Sequence, residues 1–396
     1  MLSAAIALLV QSSTYTAVPF EATDEAIIAS ATVNGKSVRC MYDTGFSGSF
    51  ILSDNFNVGK PTGTMRLRDF VGEFDAKTVK MTSLKIGSMT IPSEGMEVTQ
   101  QPTEHMTESY NTHTDGIMGL EAMGGKTFQI NFEKKEFRFY PDTFDATKLP
   151  VDGKKSFIAK LLPTGHNSLE MQVENAKGGK LTLALDTGNA FFATTHRDVL
   201  EELGMWEKNK KASFMTQASV ASGAVDSYYL MLQDLKIFGV PVKYSTWSII
   251  DAPSSSAEGN GTVGYQFLKN FNITVDMKHR RVHLEAFKDD VNFYPEGSTG
   301  ISGGYFDDTK RVTVYRVIPG SPADKAGIKA GDALLSIDGK DLGREGFREL
   351  EKLMRGAKGS KVQVAISRGG SLSRYELVRD YLVNGVPDGF VAPAKS

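Results

Sequence analysis

The chain has 396 residues, with 45 Lys and Arg against 47 Asp and Glu, a net charge of −2. That length exceeds what one ordinary hydrophobic core serves, so several domains are expected, and the near-neutral balance gives no electrostatic footprint for nucleic acid or an anionic membrane surface. A single cysteine excludes an intrachain disulfide, and no run is long and apolar enough to span a bilayer as a helix.

In chain order, Ala4 to Val10 is apolar and reads as the core of an export signal, although no basic residue precedes it. An exported location, periplasmic or secreted, is therefore favoured over the cytoplasm, and residues 1–25 form this segment and a lead-in. Ala26 to Val33 and Lys36 to Tyr42 read as strands joined by Asn34-Gly35, the dipeptide that best accepts positive φ in a tight hairpin turn. The second strand runs into Asp43-Thr44-Gly45. Met65 to Phe74 then carries Phe70-Val71-Gly72 at the tip of an expected hairpin, followed by Asp115-Gly116-Ile117-Met118-Gly119 and strands at Phe128 to Phe132 and Phe137 to Tyr140.

The same order then recurs. Leu169 to Val173 and Leu181 to Leu185 flank a polar turn at Asn175 to Gly179, and Leu181, Leu183 and Leu185 alternate with Thr182 and Ala184 as in a strand with one buried face. Asp186-Thr187-Gly188 lies at the mouth of that strand. A second hairpin signal, Phe214 to Val225 with Ala221-Ser222-Gly223, precedes Gly261-Thr262-Val263-Gly264, and strands follow at Phe271 to Val275 and Val282 to Leu284. The aspartate-to-glycine spacing is 76 residues (119 − 43) in the first half and 78 (264 − 186) in the second. The offset between halves is 143 at the aspartates (186 − 43) and again at the isoleucines (273 − 130), which is an internal duplication.

This pattern resembles the aspartic peptidases, in which each half supplies one Asp-Thr-Gly and one hydrophobic-hydrophobic-Gly segment. The resemblance covers about residues 26 to 288; two halves in one chain are like the pepsin arrangement, and their compactness is more like the retropepsins and their bacterial relatives. It implies that Asp43 and Asp186 form a catalytic dyad acting on protein or peptide substrates. Thr44 and Thr187 would interlock beneath it, Gly45 and Gly188 would let backbone N–H groups and substrate come close, and the two hairpins would cover the site as flaps. Two acids within hydrogen-bond reach cannot both ionise readily, so the pair holds one proton. One member takes a proton from water as the other polarises the peptide carbonyl, without a covalent intermediate. The pair titrates as a unit, so acid and base are not assigned individually. The chain departs from the pepsin pattern after the glycines, where Phe46 and Asn189 replace Ser or Thr; Asn189 retains a donor that could support its loop.

Further on, Arg311 to Ile318 reads as a strand, Pro319 to Ile328 as a turn and short helix closed by Gly327, and Gly331 to Gly339 as a strand ended by an Asp338-Gly339 turn. This run is similar to the bacterial PDZ domain signature over about residues 297 to 383; Phe347, Leu350 and Leu353 fit its second helix and Lys361 to Arg368 its next strand. PDZ domains add an extended peptide to a sheet edge and receive its terminal carboxylate on backbone N–H groups. The resemblance implies a carboxylate loop at Thr299, Gly300, Ile301 and Ser302, a groove wall at Phe347, and peptide C-termini as partners.

The expected fold is mainly β: two duplicated retropepsin-like β-barrel lobes forming a pseudo-dimer at 26–145 and 146–290, an α+β PDZ domain at 291–383, and a tail at 384–396. Cys40 reads as a buried small hydrophobe. His279 and His283 have a zinc-compatible spacing but no third ligand, so no metal or other cofactor is expected. An inactive pseudo-protease and a PDZ scaffold are the alternatives.

Overall fold

The computed structural model describes residues 15–68, 73–102, 112–163, 168–220, 223–254, 260–306, 309–343 and 350–393. The architecture is mainly β, in several sheets. Ile27–Val33 and Lys36–Asp43 form the first hairpin, in register with Val33 opposite Lys36. Asn34 and Gly35 turn it with φ of 49° and 77°, both in the left-handed region that this pair of residues tolerates.

The two halves repeat one strand order. In the first, Lys36–Asp43 lies between Ile27–Val33 and, in parallel, Gly116–Gly119, which itself pairs with Phe50–Ser53. Phe50–Ser53 leads through Glu97–Gln101 to the hairpin of Gly63–Arg68 and Glu73–Lys80. In the second half, Lys180–Leu185 lies between Glu170–Glu174 and Gly261–Val263. Ala193–His196, Val240–Ile250, Gly223–Ile237 and Thr216–Val220 complete the same sequence of neighbours. The end of Gly223–Ile237 returns to pair with Glu170–Glu174 and closes the second sheet on itself. In the first half the equivalent closure, Leu84–Ile86 on Ile27–Val33, is made by a separate strand, because the chain leaves the sheet at Met81 to Ser83.

A six-stranded sheet joins the halves. Its central pair is Phe128–Asn131 against Phe271–Asp276, antiparallel, with Ile130 opposite Ile273. These two isoleucines are equivalent under the 143-residue repeat, so the pseudo-twofold axis passes between them. The outer strand Thr16–Pro19 pairs with Glu136–Phe139; the sequence lead-in thus supplies a strand. One hydrophobic cluster runs from Val18 to Leu284 through both halves.

Past this body, Asp289 to Phe293 remains attached to the second half: Phe293 exchanges backbone hydrogen bonds with Tyr244 and Thr246 and stacks on Phe192 at 5.4 Å. The chain across the expected boundary after residue 290 is therefore packed onto the second half as far as Phe293. Ile301–Phe306, Arg311–Val317, Ala333–Ile337, Lys361–Arg368 and Ser371–Val378 form a separate sheet with its own core of Val312, Val314, Leu334, Val364 and neighbours. Ser321 caps the short helix Pro322–Lys325, its hydroxyl accepting the Asp324 N–H, and the helix ends at Gly327 with φ of 82°.

Candidate functional site

Each Asp-Thr-Gly follows a strand held between two others, so its backbone is fixed before the loop begins. Each aspartate then turns back onto its own loop. Asp43 Oδ1 accepts the N–H groups of Gly45 (2.8 Å) and Phe46 (3.1 Å), and Asp186 Oδ1 accepts those of Gly188 (2.8 Å) and Asn189 (3.1 Å).

Between the loops the threonines cross. Thr44 N–H donates to Thr187 Oγ1 (3.1 Å) and Thr187 N–H to Thr44 Oγ1 (3.0 Å). The hydroxyls donate onward, Thr44 to the Leu185 carbonyl (2.8 Å) and Thr187 to the Tyr42 carbonyl (2.7 Å). Both threonines are buried. Four bonds with one symmetry tie each loop to the strand that carries the other.

This interlock brings the two carboxyls together, and they hydrogen-bond to one another. The glycines mark how close the approach is. A Cβ on Gly45 would lie 2.6 Å from Asp186 Cγ, and one on Gly188 would lie 2.5 Å from Asp43 Cγ, so any side chain at either position would displace the opposite aspartate. Burial pushes the Asp43 carboxyl well above the usual range, reinforced by the Asp186 charge; burial also raises Asp186, against hydrogen bonds that favour its ionised form. The arrangement can hold one proton between two oxygens and present both carboxyls to a third group.

The later glycines back the loops. Gly119 N–H donates to the Ser49 carbonyl and Leu120 N–H to Phe46, while Gly264 N–H donates to Phe192 and Tyr265 N–H to Asn189. At Gly116 and Gly261 the φ values are 153° and 134°, and a Cβ would fall 2.0 Å from the Ile51 carbonyl oxygen and 2.1 Å from that of Thr194.

Asn189 uses the donor that its position offered. Its side-chain amide donates to the hydroxyls of Thr194 (2.9 Å) and Thr262 (2.8 Å), and Thr262 sits beside Asp186, on the strand whose Val263 carbonyl accepts the Asp186 N–H (3.0 Å), where its hydroxyl favours the ionised form of that carboxyl. Neither threonine stood out in the sequence. Aligning the halves through the repeat would have exposed them, since their first-half counterparts are Ile51 and Ile117.

Both expected covering hairpins are present as paired strands, Arg68 opposite Glu73 and Val220 opposite Gly223; Phe70, Val71, Gly72, Ala221 and Ser222 lie outside the described residues. Cys40 is buried and its thiol is pushed up by burial. His279 turns Nδ1 to Asp276 (2.8 Å), and His283 turns Nε2 to the Pro150 carbonyl (2.7 Å).

In the C-terminal sheet, Ile301–Phe306 is an edge strand bulged between Ser302 and Gly303. The helix Leu350–Met354 packs over it, with Leu350 Cδ2 3.0 Å from where a Gly303 Cβ would stand. Thr299 is buried, its hydroxyl on Met354 Sδ (3.2 Å), and Gly300 has φ of 84° with its N–H on Ser298 Oγ (3.2 Å). Phe347 lies outside the described residues.

Residues 313–368 match the PDZ domain family. The C-terminal module is a PDZ domain. Among relatives, the carboxy-terminal processing protease CtpA of Bacillus subtilis (strain 168) is 35% identical over 71 residues, 18% of this chain and 15% of the relative. The periplasmic pH-dependent serine endoprotease DegQ of Escherichia coli (strain K12) is 30% identical over 128 residues, 31% and 28% of the two chains. The chain thus spans less than a third of the length of either relative. Among solved structures, an aspartic proteinase from Irpex lacteus aligns over 69% of this chain and 97% of its own, at 13% identity and a TM-score of 0.41.

Proposed function

We propose that this chain is an aspartic-type endopeptidase whose PDZ domain recruits substrates by their C-termini. The observation that carries the reading is the hydrogen-bonded pair Asp43 and Asp186, each facing the other's glycine across a buried threonine interlock. A binding protein has no chemical need for two buried carboxyls pressed together, which is unfavourable unless the shared proton is used. In the reaction, the ionised member takes a proton from water as the water oxygen attacks the peptide carbonyl, and the protonated member hydrogen-bonds the carbonyl oxygen. The strand pairs Gly63–Arg68 with Glu73–Lys80 and Thr216–Val220 with Gly223–Ile237 would cover an extended peptide. The edge strand Ile301–Phe306 beside the helix Leu350–Met354 offers the groove a peptide C-terminus would join. An exported location fits the apolar Ala4 to Val10 run and the periplasmic designation of DegQ.

DegQ is named a serine protease, so the test must separate mechanisms. Peptide-library cleavage is expected to fall roughly a hundred- to ten-thousandfold in Asp43→Asn and equally in Asp186→Asn, and to survive a phosphonylating serine reagent. Retained turnover in either variant, or loss to the reagent, sinks the aspartic reading. Binding of library peptides without turnover by the wild type would instead favour a peptide-binding pseudo-protease.

A further inference from the structure

The duplication is broken at three positions around the dyad. The repeat places Phe46, Ile51 and Ile117 of the first half where the second has Asn189, Thr194 and Thr262. Strand register confirms the equivalence: Ile117 stands opposite Ile51 and beside Met41, and Thr262 stands opposite Thr194 and beside Ala184.

Around Asp43 the three side chains are apolar. Ile51 and Ile117 are buried in a small cluster with Ala26, Ile28 and Met41, and Phe46 packs against it. These side chains offer Asp43 no hydroxyl, and its donors on this loop are the backbone N–H groups of Gly45 and Phe46.

Around Asp186 the same positions form a directed chain of donors. The Asn189 amide gives one hydrogen to Thr262 Oγ1 and one to Thr194 Oγ1, while its Oδ1 accepts the Phe191 N–H (3.0 Å). That last bond fixes which end of the amide is nitrogen. With its oxygen accepting from Asn189, the Thr262 hydroxyl keeps its single proton for the neighbouring Asp186, whose N–H is held 3.0 Å from the Val263 carbonyl on the same strand. Donors aligned in series strengthen one another and favour a charged acceptor. The Tyr42 phenol lies on the Asp43 side and is itself pushed up by burial, reinforced by the Asp43 charge.

We propose that Asn189 and Thr262 are positioning residues that break the symmetry of the dyad, holding Asp186 as the carboxylate and Asp43 as the acid. The assignment of catalytic roles rests on the peptidase reading above; the protonation state does not. In the reaction, the Asp186 carboxylate removes a proton from water as the water oxygen bonds to the peptide carbon. The carbonyl π pair moves to its oxygen, which takes the Asp43 proton. The tetrahedral gem-diol then collapses: Asp186 passes its proton to the amide nitrogen as the C–N bond breaks, and Asp43 recovers a proton from one hydroxyl as the new carboxyl forms.

The test is a carbon NMR titration of the full chain with aspartate side chains labelled at Cγ, which reads protonation whether or not peptide is cleaved. In the wild type the first carboxyl to ionise on raising the pH is expected to be Asp186. In Thr262→Val that first step is expected to move up by about one unit, a hydrogen bond to a charged group lost, with Thr262→Ser restoring it. Ile117→Thr, which adds a hydroxyl on the Asp43 side, is expected to narrow the gap between the two steps. Asp43 ionising first, or a first step unmoved in both Thr262→Val and Ile117→Thr, overturns the assignment. A wild type that titrates as expected but cleaves no peptide supports the assignment and overturns the peptidase reading instead.

Discussion

Two buried hydroxyls near the dyad show how much a single oxygen's partners decide. Thr187 Oγ1 accepts the Thr44 N–H and donates to the Tyr42 carbonyl; the Tyr42 hydroxyl, on a fully buried side chain beside Asp43, has no hydrogen-bond partner among the described residues. Thr187→Val keeps the shape and strands two buried backbone groups, so it is expected to cost roughly 2–4 kcal/mol of stability. Tyr42→Phe removes an unpaired group, and its expected effect is neutral or a gain of up to about 1 kcal/mol. Denaturant midpoints of the two variants check this, and an equal loss in both would refute it. The threonines were legible because the tripeptide repeats; the role of Thr262 was not, because its neighbours Asn189 and Thr194 are 73 and 68 residues away (262 − 189 and 262 − 194). Only the crossing of strands brings the three together. The same holds for Asn189, whose donor was evident but whose partners, the Thr194 and Thr262 hydroxyls, were not.

Among elements, the strands were the most readable part of the chain. Periodicity and turn residues located both hairpins that carry the aspartates and the C-terminal strand Lys361–Arg368. What remained hidden was long-range pairing: Thr16–Pro19 has no pattern that announces its place on Glu136–Phe139. Asn34 illustrates both sides. Its place in a tight turn was evident, yet its amide also ties three loops together. Nδ2 donates to the carbonyls of Val58 and Lys80 (both 3.0 Å), and Oδ1 accepts the N–H groups of Thr82 (2.7 Å) and Ser83 (3.3 Å). Asn34→Ala loses these bonds and strains the φ of 49°, for an expected cost of roughly 2–4 kcal/mol. Asn34→Gly relieves the strain alone, so it should recover only part of that loss. Equal stability of Asn34→Gly and the wild type, measured by thermal unfolding, would show that the loop bonds contribute nothing.

The whole molecule divides energetically where its cores divide. One hydrophobic cluster serves both halves and the sheet between them, and the PDZ domain has another. The C-terminal tail bonds to the second half. Asn384 exchanges backbone bonds with Tyr229 and Met231, and its side chain accepts the Ser213 N–H (2.7 Å) and donates to the Tyr229 carbonyl (3.0 Å). The Arg316–Asp226 pair at 3.7 Å, with Asp226 63% exposed, adds little. Asp332 and the dyad also respond to pH in opposite senses. Asp332, with its side chain 2% exposed, accepts two bonds from Arg368 (2.6 and 2.7 Å) and one from the Lys329 N–H (2.8 Å), which together hold its carboxyl below the usual range. A lowered folded pKa contributes stability above the unfolded value, about 3.9, that is lost as pH falls through the folded one. The dyad carboxyls are raised, so their contribution is present below about 3.9 and lost as pH rises through the folded values. Thermal unfolding of wild type against Asp332→Asn is therefore expected to show a wild-type advantage at neutral pH that shrinks on acidification. Against Asp43→Asn, which keeps the shape but removes one titrating group, the wild type is expected to lose ground as pH rises. A dyad difference that grows in the wild type's favour with pH, or an Asp332 difference that is flat from about pH 7 to pH 2, would contradict the electrostatics from which both directions follow.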